Sequence, residues 1–125
     1  MITELEIVRK YLGVEYHPQK MNCWMFVKAI YSDLGRPLVD IQDFLETKNV
    51  DEVPRLAQEY KDAVVSVEKP ELFDMVMLSI HGKLHAGIVL SKGRFIHLTK
   101  AGAGVCKLGD LRWWSNIIGY YRQVA

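Results

Sequence analysis

Apolar residues recur every three or four positions early in the chain, then fall into short β-like runs after Val64. Thr3 and Glu6 form the reciprocal pair of a capping box, with Ile2 and Ile7 at the positions of a hydrophobic staple. Leu5, Val8 and Leu12 continue the stripe and Gly13 suits its stop, so the pattern predicts a first helix. A loop from Val14 to Met21, broken by Pro18, follows. Asn22 is a good N-cap, which makes Cys23 the first residue of a second helix. Phe26, Val27, Ile30, Tyr31 and Leu34 give that helix a buried stripe, ended by Gly35 and Pro37. Between Asp40 and Val50, Ile41, Phe44 and Leu45 allow a short helix. Asp51 can cap another that runs to about Tyr60, with Pro54 in its first turn and Arg55, Glu59 and Lys61 on its solvated face.

The second half predicts strands at Val64–Val67, Met75–Ile80, His85–Leu90, Arg94–Thr99, Gly104–Leu108 and Ile117–Gln123. Helices first and a meander of strands afterwards indicate an α+β fold, with N-terminal helices packed on a C-terminal antiparallel sheet. One turn decides more than the others. If Ser91-Lys92-Gly93 is a three-residue loop with Gly93 left-handed, Leu90 faces Arg94, Ile88 faces Ile96 and Gly87 faces His97. His85 and His97 then share one side of the sheet as diagonal neighbours, about 7–8 Å apart. A two-residue loop at Lys92-Gly93 would send them to opposite faces.

Length and charge narrow the classes. A chain of 125 residues is read as one domain, 1–125, with a single core. A formal net charge of +1 and the lack of a basic block argue against general nucleic-acid binding. No apolar run approaches a membrane span. Met1-Ile2-Thr3-Glu4 lacks the pattern of a secretory signal, so synthesis in a cytoplasm without an export address is expected. Cys23 and Cys106 show no CxxC spacing, and neither a structural disulfide nor a zinc site is expected. No cofactor is implied.

Candidate chemistry centres on Cys23. Near a helix N-terminus, partial positive charge and unpaired N–H groups favour thiolate over thiol. Position alone leaves two readings open, a nucleophile or a small apolar residue under a helix end. A thiolate nucleophile needs a base within reach and a third group to orient that base. His85 and His97 can fill those places: Cys23 attacks a carbonyl carbon, His85 holds the thiolate as an imidazolium partner and then protonates the leaving amine, and His97 orients the far nitrogen of His85. Helix-start N–H groups, including that of Cys23, receive the oxyanion. A histidine alone in a strand is more often structural. His17 and His81 read as solvated loop residues, Cys106 as a buried small residue, and Trp113 and Trp114 as aromatics that close a core or line a groove.

The ordered set of motifs resembles the NlpC family of papain-like cell-wall peptidases, and its phage tail-assembly branch in particular. Asn22-Cys23-Trp24-Met25-Phe26-Val27, then Tyr31, Leu34-Gly35 and Pro37-Leu38, is similar to that branch's cysteine helix. Leu72-Phe73-Asp74-Met75-Val76-Met77-Leu78 resembles the strand that opens with Gly-Asp in the family. His85-Ala86-Gly87-Ile88-Val89-Leu90 matches the motif of the family base, and Phe95-Ile96-His97 the strand with its third polar residue. Ile118-Gly119-Tyr120-Tyr121-Arg122 is similar to the tail proteins' ending. The resemblance runs from about Tyr11 onward. It implies a papain-like fold, catalytic roles for Cys23, His85 and His97, and a place for Tyr16 near the thiol and oxyanion. It also implies hydrolysis of a peptidoglycan stem-peptide amide, by a component of a phage or prophage tail tip that acts on the cell wall beside other tail proteins.

Three positions depart from the family pattern. Asn22 stands for the frequent Asp, Met25 for a Gly two residues after the cysteine, and Phe73 for the Gly of Gly-Asp. Neither the metalloprotease-like domain of related tail proteins nor a glycan-binding module fits in this length. Met25 and the missing targeting modules support an alternative, a structural tail-assembly protein with little turnover. A thiol acyltransferase of the lipid-modifying branch is a further alternative, opposed by the cysteine-before-histidine order.

Overall fold

Residues 2–38, 50–59 and 62–124 are described in a computed structural model of the chain. Helix α1 (Glu4–Tyr11) carries the anticipated capping box, with the Glu6 N–H donating to Thr3 Oγ1 at 3.2 Å. Helix α2 (Cys23–Asp33) starts at Asn22, whose side chain accepts from the Met25 N–H at 2.9 Å. It ends in a Schellman arrangement. The Arg36 N–H reaches the Tyr31 carbonyl at 2.9 Å and the Gly35 N–H reaches Ser32 at 3.0 Å, with Gly35 at φ 74°. The Tyr11 hydroxyl ties the two helices together, donating to Asp33 at 2.6 Å, and its ring meets Phe26 edge-on.

A 3-10 turn, Val50–Glu52, leads into α3 (Val53–Glu59). Asp51 therefore lies inside that turn rather than capping the helix, and Arg55 pairs with Glu52 and Glu59 on the exposed side. The short helix expected from Asp40 falls outside the described residues up to 49, as does Lys61.

Six antiparallel strands form one sheet: β1 (Val64–Val67), β2 (Met75–Ile80), β3 (Lys83–Val89), β4 (Arg94–Thr99), β5 (Gly102–Lys107) and β6 (Ile117–Gln123). Four match the expected bounds. β3 starts earlier because His81 and Gly82, both at positive φ, make a two-residue turn that pairs Ile80 with Lys83. β5 also starts earlier, at Gly102 opposite Thr99.

The strand order is β1-β6-β2-β3-β4-β5, so only β2 to β5 form the anticipated meander. β6 returns between β1 and β2, and a short helix that the pattern did not reveal, α4 (Leu111–Trp114), precedes it. The return joins distant motif residues. Arg122 on β6 grips the buried Asp74 carboxylate with two bonds, 2.9 and 2.8 Å. The fold is α+β, as the pattern implied.

Strand alternation separates two apolar layers. Met75, Met77, Leu84, Ala86, Ile88, Ile96 and Leu98 pack with Ile7, Tyr11, Cys23, Phe26, Val27 and Ile30 of the helices. Val76, Leu78, Val89 and Phe95 face the other side, where Trp113, Ile117 and Tyr120 cover them. Among the described residues no helix is long and apolar enough to cross a membrane.

Candidate active site

Cys23 is the first residue of α2 and is buried, 1% exposed, beneath the helix start. Tyr16, half-buried in the preceding loop, packs against the same apolar cluster. Met25, which stands where the resemblance has a glycine, is exposed on the first turn of α2.

The two strand histidines meet. Gly87 pairs with His97 and Ile88 with Ile96, which is the register of a three-residue connection. Lys92 as well as Gly93 is left-handed, at φ 60° and 69°. Ser91 is then the additional residue that keeps both histidines on one face. His85 Nε2 and His97 Nδ1 share a hydrogen bond of 2.8 Å. His97 is 1% exposed and packs against the Phe95 and Trp113 rings, each centroid 4.6 Å away. Glycines flank it in both neighbouring strands, Gly87 in β3 and Gly104 in β5.

Burial sets the charge of the pair. It pushes the His85 imidazole down to about 4. Burial, then repulsion from His85 and Arg112, pushes His97 down to about 3. Burial therefore favours the neutral form of both rings near pH 7.

Alternation directs the pair away from α2. Leu84, Ala86, Ile88, Ile96 and Leu98 share the helix-side cluster with Cys23, whereas His85, Gly87 and His97 occupy the face of Val76, Leu78 and Phe95. The β3–β4 ladder also ends at Gly87–His97, although β3 remains paired to β2, and β4 to β5, beyond that point. The first residues of β3 and the last of β4 thus do not pair with one another, and α2 packs against both strands.

Three further features were hidden in the pattern. Cys106, opposite Phe95 in β5, places Sγ 3.5 Å from His97 Nε2. Burial raises its thiol pKa. Only the register of β5 could have disclosed this contact. Trp113 covers His97 and Trp114 is exposed, so the paired tryptophans divide between core and solvent. His17 is exposed as expected, but its Nδ1 accepts from the Gln19 and Lys20 N–H groups and so shapes the loop before Cys23. His81 is exposed in its turn. Among the described residues, no group of three or more His, Cys, Asp and Glu is placed to hold a metal ion.

No family model matches the chain, and no curated protein matches it. Solved structures do. A lipoprotein-like protein of the NLP/P60 family from Staphylococcus aureus superposes with a TM-score of 0.66 at 16% identity, over 95% of this chain and 39% of that one. The NlpC/p60 domain of the peptidoglycan hydrolase SagA superposes with a TM-score of 0.58 at 19% identity, over 96% of this chain and 95% of the domain. The chain thus spans well under half of the staphylococcal protein and nearly all of the SagA domain. At these identities the shared property is the fold: six antiparallel strands and their helices are arranged as in NlpC/P60 proteins.

Proposed function

We propose that residues 1–125 form a cysteine hydrolase domain acting on an amide bond of peptidoglycan stem peptides, with Cys23 as nucleophile, His85 as base and His97 as its orienting partner. The observation that carries the reading is the 2.8 Å bond between His85 Nε2 and His97 Nδ1, which holds the base by its far nitrogen and leaves Nδ1 for a thiol. The reading requires the start of α2, which packs on β3 and β4, to bring Cys23 to the His85 edge of the sheet. The likeness in fold to the SagA hydrolase domain supports the substrate class.

The chemistry follows from a neutral base. His85 Nδ1 takes the Cys23 proton as Sγ attacks the carbonyl carbon, so no resting ion pair is required. The tetrahedral oxyanion is held by N–H groups at the start of α2, and Tyr16 lies beside it. The C–N bond breaks as His85 returns the proton to the leaving amine. Water then hydrolyses the thioester with His85 again as base, releasing the acid and the free thiol. His97 supports the transient imidazolium less than a carboxylate would, so turnover is modest. No cofactor takes part. The family pattern, with Arg122 and Asp74 joined as its ending and its Asp, further suggests a phage or prophage tail-tip component that is made in the host cytoplasm and carried to the wall with other tail proteins.

One observation favours a second reading. The histidines occupy the sheet face opposite the cluster that contains Cys23, which suits a tail-assembly protein that keeps the fold with little turnover. Digestion of purified muropeptides with wild type and Cys23→Ala separates the two. New amino termini released by wild type only support the hydrolase. If neither protein releases them, the hydrolase reading fails.

A further inference from the structure

We infer that Cys106 is a positioning residue for this site, its sulfur selecting the tautomer of His97 that allows His85 to act as a base. The inference rests on the hydrolase reading for its meaning and on geometry for its content. His97 uses both ring nitrogens: Nδ1 meets His85 Nε2 at 2.8 Å and Nε2 meets Cys106 Sγ at 3.5 Å. The Phe95 and Trp113 rings pack on the imidazole, and a Cβ on Gly87 would lie 3.1 Å from the His97 Cβ. The ring is therefore confined, and its partners decide which nitrogen carries the proton.

Only two arrangements of this chain are possible while both imidazoles are neutral. In the first, His97 Nε2–H donates to the Cys106 sulfur, His97 Nδ1 accepts from His85 Nε2–H, and His85 Nδ1 bears a lone pair. In the second, the Cys106 S–H donates to His97 Nε2 and every proton moves one place along. His85 Nδ1 then carries hydrogen and cannot receive a proton from a thiol. A thiol S–H is a weak donor whereas a ring N–H is an ordinary one, which favours the first arrangement, with the ring donating. Arg112 opposes protonation of His97, which keeps the ring neutral and its single proton free to take either nitrogen. Burial holds the Cys106 sulfur as a thiol.

Nitrogen-15 NMR of histidine-labelled protein near pH 7 reads the tautomer without substrate. In wild type, His97 is expected as the Nε2–H form alone, and His85 as Nε2–H as well. Cys106→Ala is expected to mix the His97 tautomers and to lower kcat roughly tenfold, the effect of one neutral hydrogen bond, with KM unchanged. Cys106→Ser, whose hydroxyl accepts the same N–H, retains the wild-type tautomer and most of the turnover. A proton on His97 Nδ1 in the wild type would overturn the inference, as would a Cys106→Ala protein with tautomer and kcat both unchanged. Lack of turnover in wild type counts against the hydrolase reading instead, and the wild-type tautomer still decides this one.

Discussion

Gly87 and Gly104 stand opposite His97 in the two strands beside it, yet their substitution by alanine has unequal consequences. A Cβ on Gly87 would lie 2.9 Å from the Ile96 carbonyl oxygen, 3.0 Å from Phe95 Cδ2 and 3.1 Å from His97 Cβ. The first of these neighbours is backbone within the short β3–β4 ladder, so relief requires the strands to move apart or the two rings to shift. Overpacking of this kind costs about 2–3 kcal/mol. A Cβ on Gly104 meets no atom within 4 Å, and alanine there is expected to be neutral or to add about 0.5 kcal/mol of stability by restricting the unfolded chain. Urea denaturation checks the pair. With a slope of roughly 2 kcal/mol per molar, Gly87→Ala lowers the midpoint by about 1 M while Gly104→Ala leaves it in place. The displaced His97 also loosens its bond to His85, so Gly87→Ala loses turnover beyond its loss of stability. A Gly87→Ala midpoint within experimental error of wild type, or equal losses for both variants, would refute the close-approach reasoning.

The Asp74–Arg122 pair gives a second expectation. Asp74→Asn weakens the two-bonded pair and lowers stability, and Arg122→Gln on top of it adds less than it does alone, as a double-mutant cycle in urea measures. Strict additivity would show that the two side chains are not coupled. Phe73 sits at φ 71° where the resemblance has a glycine, so Phe73→Gly and Phe73→Ala both lose the ring but only alanine keeps the left-handed strain. Thermal unfolding should place Phe73→Gly above Phe73→Ala by about 1 kcal/mol, and the reverse order rejects strain at this turn. Stability should also respond to pH through the histidine pair. Folded values near 4 and 3 lie below the ordinary 6.5, so the unfolded chain binds more protons between them. That stability is fully present above pH 6.5 and falls as pH drops toward 4, by up to roughly 1.4 kcal/mol per unit for each histidine. His97→Gln should flatten the dependence, and a wild-type protein equally stable at pH 7 and pH 4 would contradict the neutral buried pair.

The features legible in the chain were those whose cause is local. Thr3 with Glu6, and Asn22 ahead of Cys23, are caps made by residues three apart, and both helix starts fall where these residues stand. Alternation marked four strands at their observed bounds, and the parity of Ser91-Lys92-Gly93 was enough to bring His85 against His97. Contacts between distant segments were not legible. β6 inserts between β1 and β2 because Arg122 reaches Asp74 and the strand pairs with both neighbours, which no local pattern encodes. Cys106 looked like an ordinary small residue until β5 placed it opposite Phe95 and beside His97. The neutrality of His97 likewise comes from burial beside Phe95 and Trp113, residues supplied by different elements. By itself, then, the sequence determined the first two helices, four strands and the register that joins the histidines, because caps, periodicity and turn parity act over a few residues. Only the tertiary structure decided strand order, which sheet face meets α2, and the charge and partners of His97, because these depend on segments that meet when the whole sheet is assembled.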